Sequence, residues 1–142
     1  MALVTGVDVA EIARLERALG ARWGDRFAAR VFTEGERTWC EGRGRRRRAE
    51  SYAARFAAKE AVMKALGTGP GRRAGWREIE VVRAPGEAPS IRLHGRALAT
   101  AERAGIAGFA LSLSHGAGIA IAVVVAEARA LPPGRPRAEP VA

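Results

Sequence analysis

Glu60 and Lys64 stand four residues apart in the alanine-rich stretch 49–66 (AESYAARFAAKEAVMKAL), so a helix there puts a carboxylate and an ammonium on one edge. Ala53 and Ala57 share that edge, and side chains this small let a ligand come close, which suits the edge to holding a cation and phosphates. A second acid, Asp8, closes the apolar stretch ALVTGVD, and Ser114 and His115 close another, FALSLSH. Cys40 is the one cysteine and His94 and His115 are the two histidines, so no internal disulfide can form and a metal would be held mainly by oxygen. Each feature has a plainer alternative. Glu60 and Lys64 as a surface pair would contribute only about 0.3–0.5 kcal/mol; Asp8 is a favoured residue type for a helix N-cap; His115 suits an imidazole bonded to backbone at a strand end.

These residues need elements to place them. Residues 2–8 read as a short buried strand ending at Asp8, with Val9, Ile12, Leu15 and Leu19 recurring at helical spacing after it. A second helix is expected over 23–31, and Thr33-Glu34-Gly35-Glu36 has the form of a capping box opening a short helix near Trp39. The arginine run 43–48 reads as an exposed loop. Residues 49–66 make the strongest helix, closed by Gly67, after which GTGPGRRAG holds no regular structure. On a wheel of about 100° per residue, Tyr52, Phe56, Val62, Met63 and Leu66 form an apolar arc with Arg55 and Lys59 inside it; the simple account is that both cations snorkel past the core. Strands are expected over 78–83 and 90–94 around PGEAP, then a helix over 95–104, then strands 109–115 and 119–127 flanking Gly116-Ala117-Gly118. This order predicts one α+β domain, 1–127, with a largely antiparallel sheet packed with a long helix, followed by a disordered Pro/Arg-rich tail, 128–142.

The chain has 142 residues, 48% of them hydrophobic, enough for one core. Its longest apolar run, near 117–126, falls short of the roughly 20 residues of a membrane helix, so no membrane partner is expected. An acid at Asp8 interrupts the opening segment before a hydrophobic region of signal-peptide length can form, and a cytoplasmic location follows. A net charge of +9 suggests an anionic partner. Arg43 and Arg45 to Arg48 supply +5 of it, and the tail +2 from Arg129, Arg135 and Arg137 less Glu139. A small nucleic-acid-binding module is the rival reading. Against it, the charge is gathered in one loop and the tail, and the aromatics form no stacking motif.

Read together and in order, GVDVAEIAR, RFAAKEAVMKALGTG and LSLSHG resemble the bacterial holo-acyl-carrier-protein synthases, the small trimeric phosphopantetheinyl transferases. The resemblance runs from about Val4 to Glu127, and the block 55–69 is its most specific part. It implies a 4'-phosphopantetheinyl transferase-like fold and transfer of the phosphopantetheine arm of coenzyme A to a serine of an apo acyl carrier protein. It also implies that Asp8 and Glu60 bind Mg²⁺, an ion that takes one or two carboxylates, waters and substrate phosphates. Lys64 would reach the pyrophosphate of coenzyme A, with Gly67 offering closely approachable backbone. Arg55, Ser114 and His115 fall where the family contacts the nucleotide portion. Glu60 and a metal-activated water are both candidates for the base that takes the serine proton. Arg14 and Arg26, with Arg22, lie on the helices where the family docks its acidic carrier, and the resemblance implies a homotrimer with active sites at subunit boundaries. An inactive relative serving as an interaction subunit is a third reading; Asp8, Glu60 and Lys64 together favour activity. The chain departs from the family in Gly116 after His115, where a hydrogen-bonding side chain is common, and in its arginine-rich segment 43–48.

Overall fold

A computed structural model describes residues 1–69, 74–136 and 139–141. Along the chain run β1 (Ala2–Glu11), α1 (Ile12–Gly20), α2 (Gly24–Val31), α3 (Glu34–Glu41), α4 (Arg45–Leu66), a 3₁₀ turn (Trp76–Glu78), β2 (Ile79–Val82), β3 (Ser90–Leu93), α5 (Gly95–Arg103), β4 (Ala110–Gly116) and β5 (Ile119–Ala128). β5 lies between β1 and β4 in a three-stranded sheet, and β2 and β3 form a hairpin; every pairing is antiparallel. This is the expected α+β architecture. Part of the stretch GTGPGRRAG, residues 70–73, lies outside the described residues.

α4 is the spine. Ala53, Ala57, Ala58, Ala61 and Ala65 are fully buried on it, so neighbouring elements approach its backbone on several sides and the helix is enclosed instead of half wet. Gly67, at φ +68°, ends it in the left-handed conformation open to glycine, as the sequence predicts. β1 lies across α4 with its even-numbered residues, Val4 to Ala10, turned inward. At Gly6 a Cβ would overlap the Ala61 carbonyl oxygen, so only glycine allows this crossing.

Four expectations are corrected, three of them about element boundaries and caps. β1 does not end at Asp8 but continues to Glu11, because the aliphatic β5 offers a partner at every position down to the Glu11–Ile119 pair; the helical spacing of Ile12, Leu15 and Leu19 begins only there. The N-cap of α1 is therefore Glu11, with no side-chain cap, and Asp8 is not a cap. The arginine run is not all loop: Gly44, at φ +78°, makes the break and Arg45 opens α4. Arginine is a good helix former, and Arg48 is tied down by Glu41 at 2.7 Å and by the Tyr52 ring beneath its guanidinium.

Lys59 does not snorkel. Its side chain is fully buried and its ammonium donates to Glu36 Oε1 at 2.6 Å and to the carbonyls of Trp76 and Ile79 at 3.0 and 2.5 Å. Glu36 is the N3 residue of the expected capping box, closed with Thr33 at the start of α3, and its other oxygen accepts from the Val81 N–H. One buried ion pair thus joins α3, α4 and β2, with its charges saturated by hydrogen bonds.

Beyond Ala128 no further helix or strand occurs among the described residues. The backbone N–H groups of Arg129 and Ala130 bond to the Ala104 carbonyl, and the chain then passes over the end of α4.

Candidate functional site

Asp8, Glu60 and Lys64 come together where β1 crosses α4. Inward-facing Asp8 is 9% exposed, and the Gly6 crossing brings it against the helix. Lys64 Nζ donates to Asp8 Oδ1 at 2.7 Å and to the Val7 carbonyl at 3.0 Å, so its partner is the strand's acid instead of Glu60 on its own helix. Asp8 Oδ2 is buried without a hydrogen-bond partner. Burial first, and the Asp8 carboxylate beside it second, push Glu60 from its ordinary 4.5 to about 7; Lys64 and Arg14 pull the other way.

A buried carboxylate oxygen without a hydrogen-bond partner, next to a second carboxyl whose pKa burial and that acid raise to about 7, is a pair that positive charge would favour. Oxygen-only donors of this kind suit a hard divalent ion. Among the described residues no three His, Cys, Asp or Glu side chains cluster as a ready-made metal cage. The two carboxylates therefore fit Mg²⁺ only with further oxygens from water and a phosphate ligand.

The remaining candidates lie elsewhere. Val9, Ile121 and Ser114 are successive cross-strand neighbours, as are Asp8, Ala122 and Leu113, so Ser114 occupies the sheet face opposite Asp8. His115 shares Asp8's face, but its Nδ1 lies 4.0 Å from Glu50 Oε2, ten residues and about 15 Å up α4 from Glu60. Gly67 does not present an empty flank: the space a Cβ would take is filled by the Pro133 carbonyl. Arg14 and Arg22 are exposed around α1, and Arg26 is exposed on α2. Arg14 acts on Glu60 electrostatically, which sets this basic face beside the acids.

Arg55 is 4% exposed and borders a cleft of about 450 Å³ with Trp39, Arg43, Arg83 and Arg92. Three guanidinium groups, of Arg43, Arg55 and Arg83, lie 5.2, 5.7 and 5.4 Å from the Trp39 ring centroid. Arg55 Nε is buried and unpartnered, and burial lowers the pKa of this guanidinium. Sequence reasoning found Arg55 and missed Trp39, Arg43 and Arg83. Trp39 and Arg43 stand four residues apart, but Arg55 and Arg83 come from other segments, and no spacing links them to Trp39 before the chain folds.

A sequence model of the 4'-phosphopantetheinyl transferase superfamily matches residues 5–124. The holo-[acyl-carrier-protein] synthase of Anaeromyxobacter sp. (strain K) is 49% identical over 130 residues, covering 89% of this chain and 97% of that protein. The synthase of Herpetosiphon aurantiacus is 49% identical over 129 residues, covering 87% and 97%. Among solved structures, the Chronobacterium ammoniagenes ACPS–CoA complex superposes with a TM-score of 0.78 at 30% identity, covering 91% of this chain and 99% of that one. The Helicobacter pylori synthase in complex with coenzyme A gives 0.74 at 33% identity, covering 87% and 99%.

Proposed function

The chain belongs to the 4'-phosphopantetheinyl transferase superfamily, and we propose that it is a holo-acyl-carrier-protein synthase that moves the phosphopantetheine arm of coenzyme A onto a serine of an apo acyl carrier protein, serving fatty acid or polyketide assembly. The observation that carries this reading is the meeting of Asp8, Glu60 and Lys64 at the β1–α4 crossing, two acids and an ammonium positioned for a diphosphate and its counter-ion.

In the proposed reaction the serine oxygen bonds to the phosphorus that bears the pantetheine arm, and the bond from that phosphorus to the departing adenosine 3',5'-bisphosphate breaks. Asp8 and Glu60 would hold Mg²⁺, which when bound would neutralise charge on the phosphoryl oxygens. Lys64 turns from Asp8 toward the pyrophosphate. Glu60 and a metal-activated water are the candidates to take the serine proton. Arg55, with an unpartnered N–H beside a cleft rich in arginine, suits the 3'-phosphate of the nucleotide.

Ser114 and His115 do not converge with the acids inside one chain, which supports a site completed by a neighbouring copy in a homotrimer. Further support comes from the open face of the main sheet, where Leu3, Val7 and Val9 are 69%, 53% and 53% exposed. Exposed Arg14 and Arg26 supply the docking face for the acidic carrier. No helix of the described residues is long and apolar enough to cross a membrane. A cytoplasmic site of action goes with this reading.

Release of adenosine 3',5'-bisphosphate from coenzyme A, followed chromatographically with apo carrier present, tests the reading. Release that needs both carrier and Mg²⁺ and stops on chelation is expected; release independent of the carrier would overturn it.

A further inference from the structure

Residues past the family match meet the site from behind. The segment Pro132-Pro133-Gly134-Arg135 forms a turn: the Arg135 N–H bonds to the Pro132 carbonyl at 3.2 Å, a proline stands at the second position and Gly134, at φ +77°, at the third. Those are the marks of a type II turn, whose proline and glycine set its backbone before anything docks. Pro132 is buried, Leu131 packs against the core, and the Pro133 carbonyl fills the space beside Gly67. The turn therefore seats Arg135 at the end of α4.

There one guanidinium nitrogen of Arg135 donates both to the Lys64 carbonyl and to the Thr5 carbonyl, the latter at 2.8 Å. The Lys64 carbonyl belongs to the last turn of α4, where it also accepts the Gly67 N–H at 3.1 Å, and a cation is favourable at this end of a helix. Thr5 lies three residues before Asp8 on β1. One side chain thus bridges the two elements whose crossing places Asp8 against Lys64, at the backbone of the same lysine whose ammonium reaches Asp8.

The geometry points to Arg135 as a positioning residue: it fastens the end of α4 to β1 and so holds Lys64 where it meets the phosphates of coenzyme A. This rests on the proposed function, and it gives the tail a part in the reaction that the body of the chain does not contain. Arginine suits the task because one guanidinium nitrogen carries two N–H donors, one for each carbonyl, on a group that stays charged.

The test is a double-mutant cycle read by equilibrium binding of coenzyme A in a calorimeter, with carrier KM and melting temperature measured alongside. Arg135→Ala is expected to weaken coenzyme A binding about tenfold, the loss of one hydrogen-bonded charged group, with carrier KM unchanged. In a Lys64→Ala background the same substitution should add less than about twofold, because its effect passes through Lys64. Arg135→Lys should recover part of the loss, and a chain ending at Ala130 should behave as Arg135→Ala does. An equal loss in both backgrounds, no loss at all, or tighter binding by the shortened chain would each overturn the proposal. Failure of the unaltered chain to bind coenzyme A would instead sink the function on which it rests.

Discussion

Burial and the Asp8 carboxylate hold Glu60 near pH 7, and that shift has consequences of definite sign. A carboxyl whose folded-state pKa is raised favours the folded protein below its ordinary 4.5 and loses that contribution as pH rises through about 7. In metal-free protein at pH 8, Glu60→Gln should therefore raise Tm by about 3 °C, roughly what 1 kcal/mol does in a domain of this size, and should change little at pH 4. The full shift would give more, but half-buried Glu60 is partly screened by water. A lower Tm at pH 8 would contradict the environment described for Glu60. With Glu60 as the proposed Mg²⁺ ligand, protons would compete for its carboxylate, and Mg²⁺ affinity measured by titration should fall toward tenfold per unit as pH drops below 7. At this scale the sequence was informative about residue type and motif, but it left the Lys64–Asp8 ion pair unseen. That pair joins residues 56 apart, and only the β1 crossing brings them together.

Two packing decisions govern the elements. Gly6 lets β1 touch α4, so Gly6→Ala should push the strand away from Ala61, lowering both Tm and activity, whereas Gly108→Ala, with open space around it, should change neither. The Lys59–Glu36 pair carries the second. Lys59→Met leaves the buried Glu36 charged without a counter-ion, an expected loss of about 3–5 kcal/mol in chemical denaturation. Glu36→Gln in the same chain should restore part of it, and additive losses would show that the two side chains act independently. Helix and strand existence were legible because alanine content, the capping box and aliphatic runs are local signals. The length of β1 and the start of α4 were not. The first depends on a ladder with β5 more than a hundred residues away, and the second on Glu41 and Tyr52 holding an arginine that looked solvated.

At the scale of the whole molecule, the proposed homotrimer is supported by the apolar outer face of the sheet and by the separation of Ser114 from Asp8. Val9→Asp should convert the assembly to monomers in sedimentation analysis and remove transfer activity, while a monomeric and fully active variant would refute a shared site. Charge reversal at Arg14 and Arg26 should raise carrier KM and leave coenzyme A binding intact; an unchanged KM would remove α1 and α2 from the docking face. Net charge announced an anionic partner but not its location, since no composition says that Arg43, Arg55 and Arg83 fold around Trp39. The central claim, that Asp8, Glu60 and Lys64 form one site for arm transfer, is tested most directly by mass spectrometry of an apo acyl carrier protein incubated with coenzyme A, Mg²⁺ and this chain. The carrier should gain one phosphopantetheine with the unaltered chain and almost none with Glu60→Gln, a fall of at least about a hundredfold in rate. No gain with the unaltered chain, or an equal gain with the variant, would contradict it.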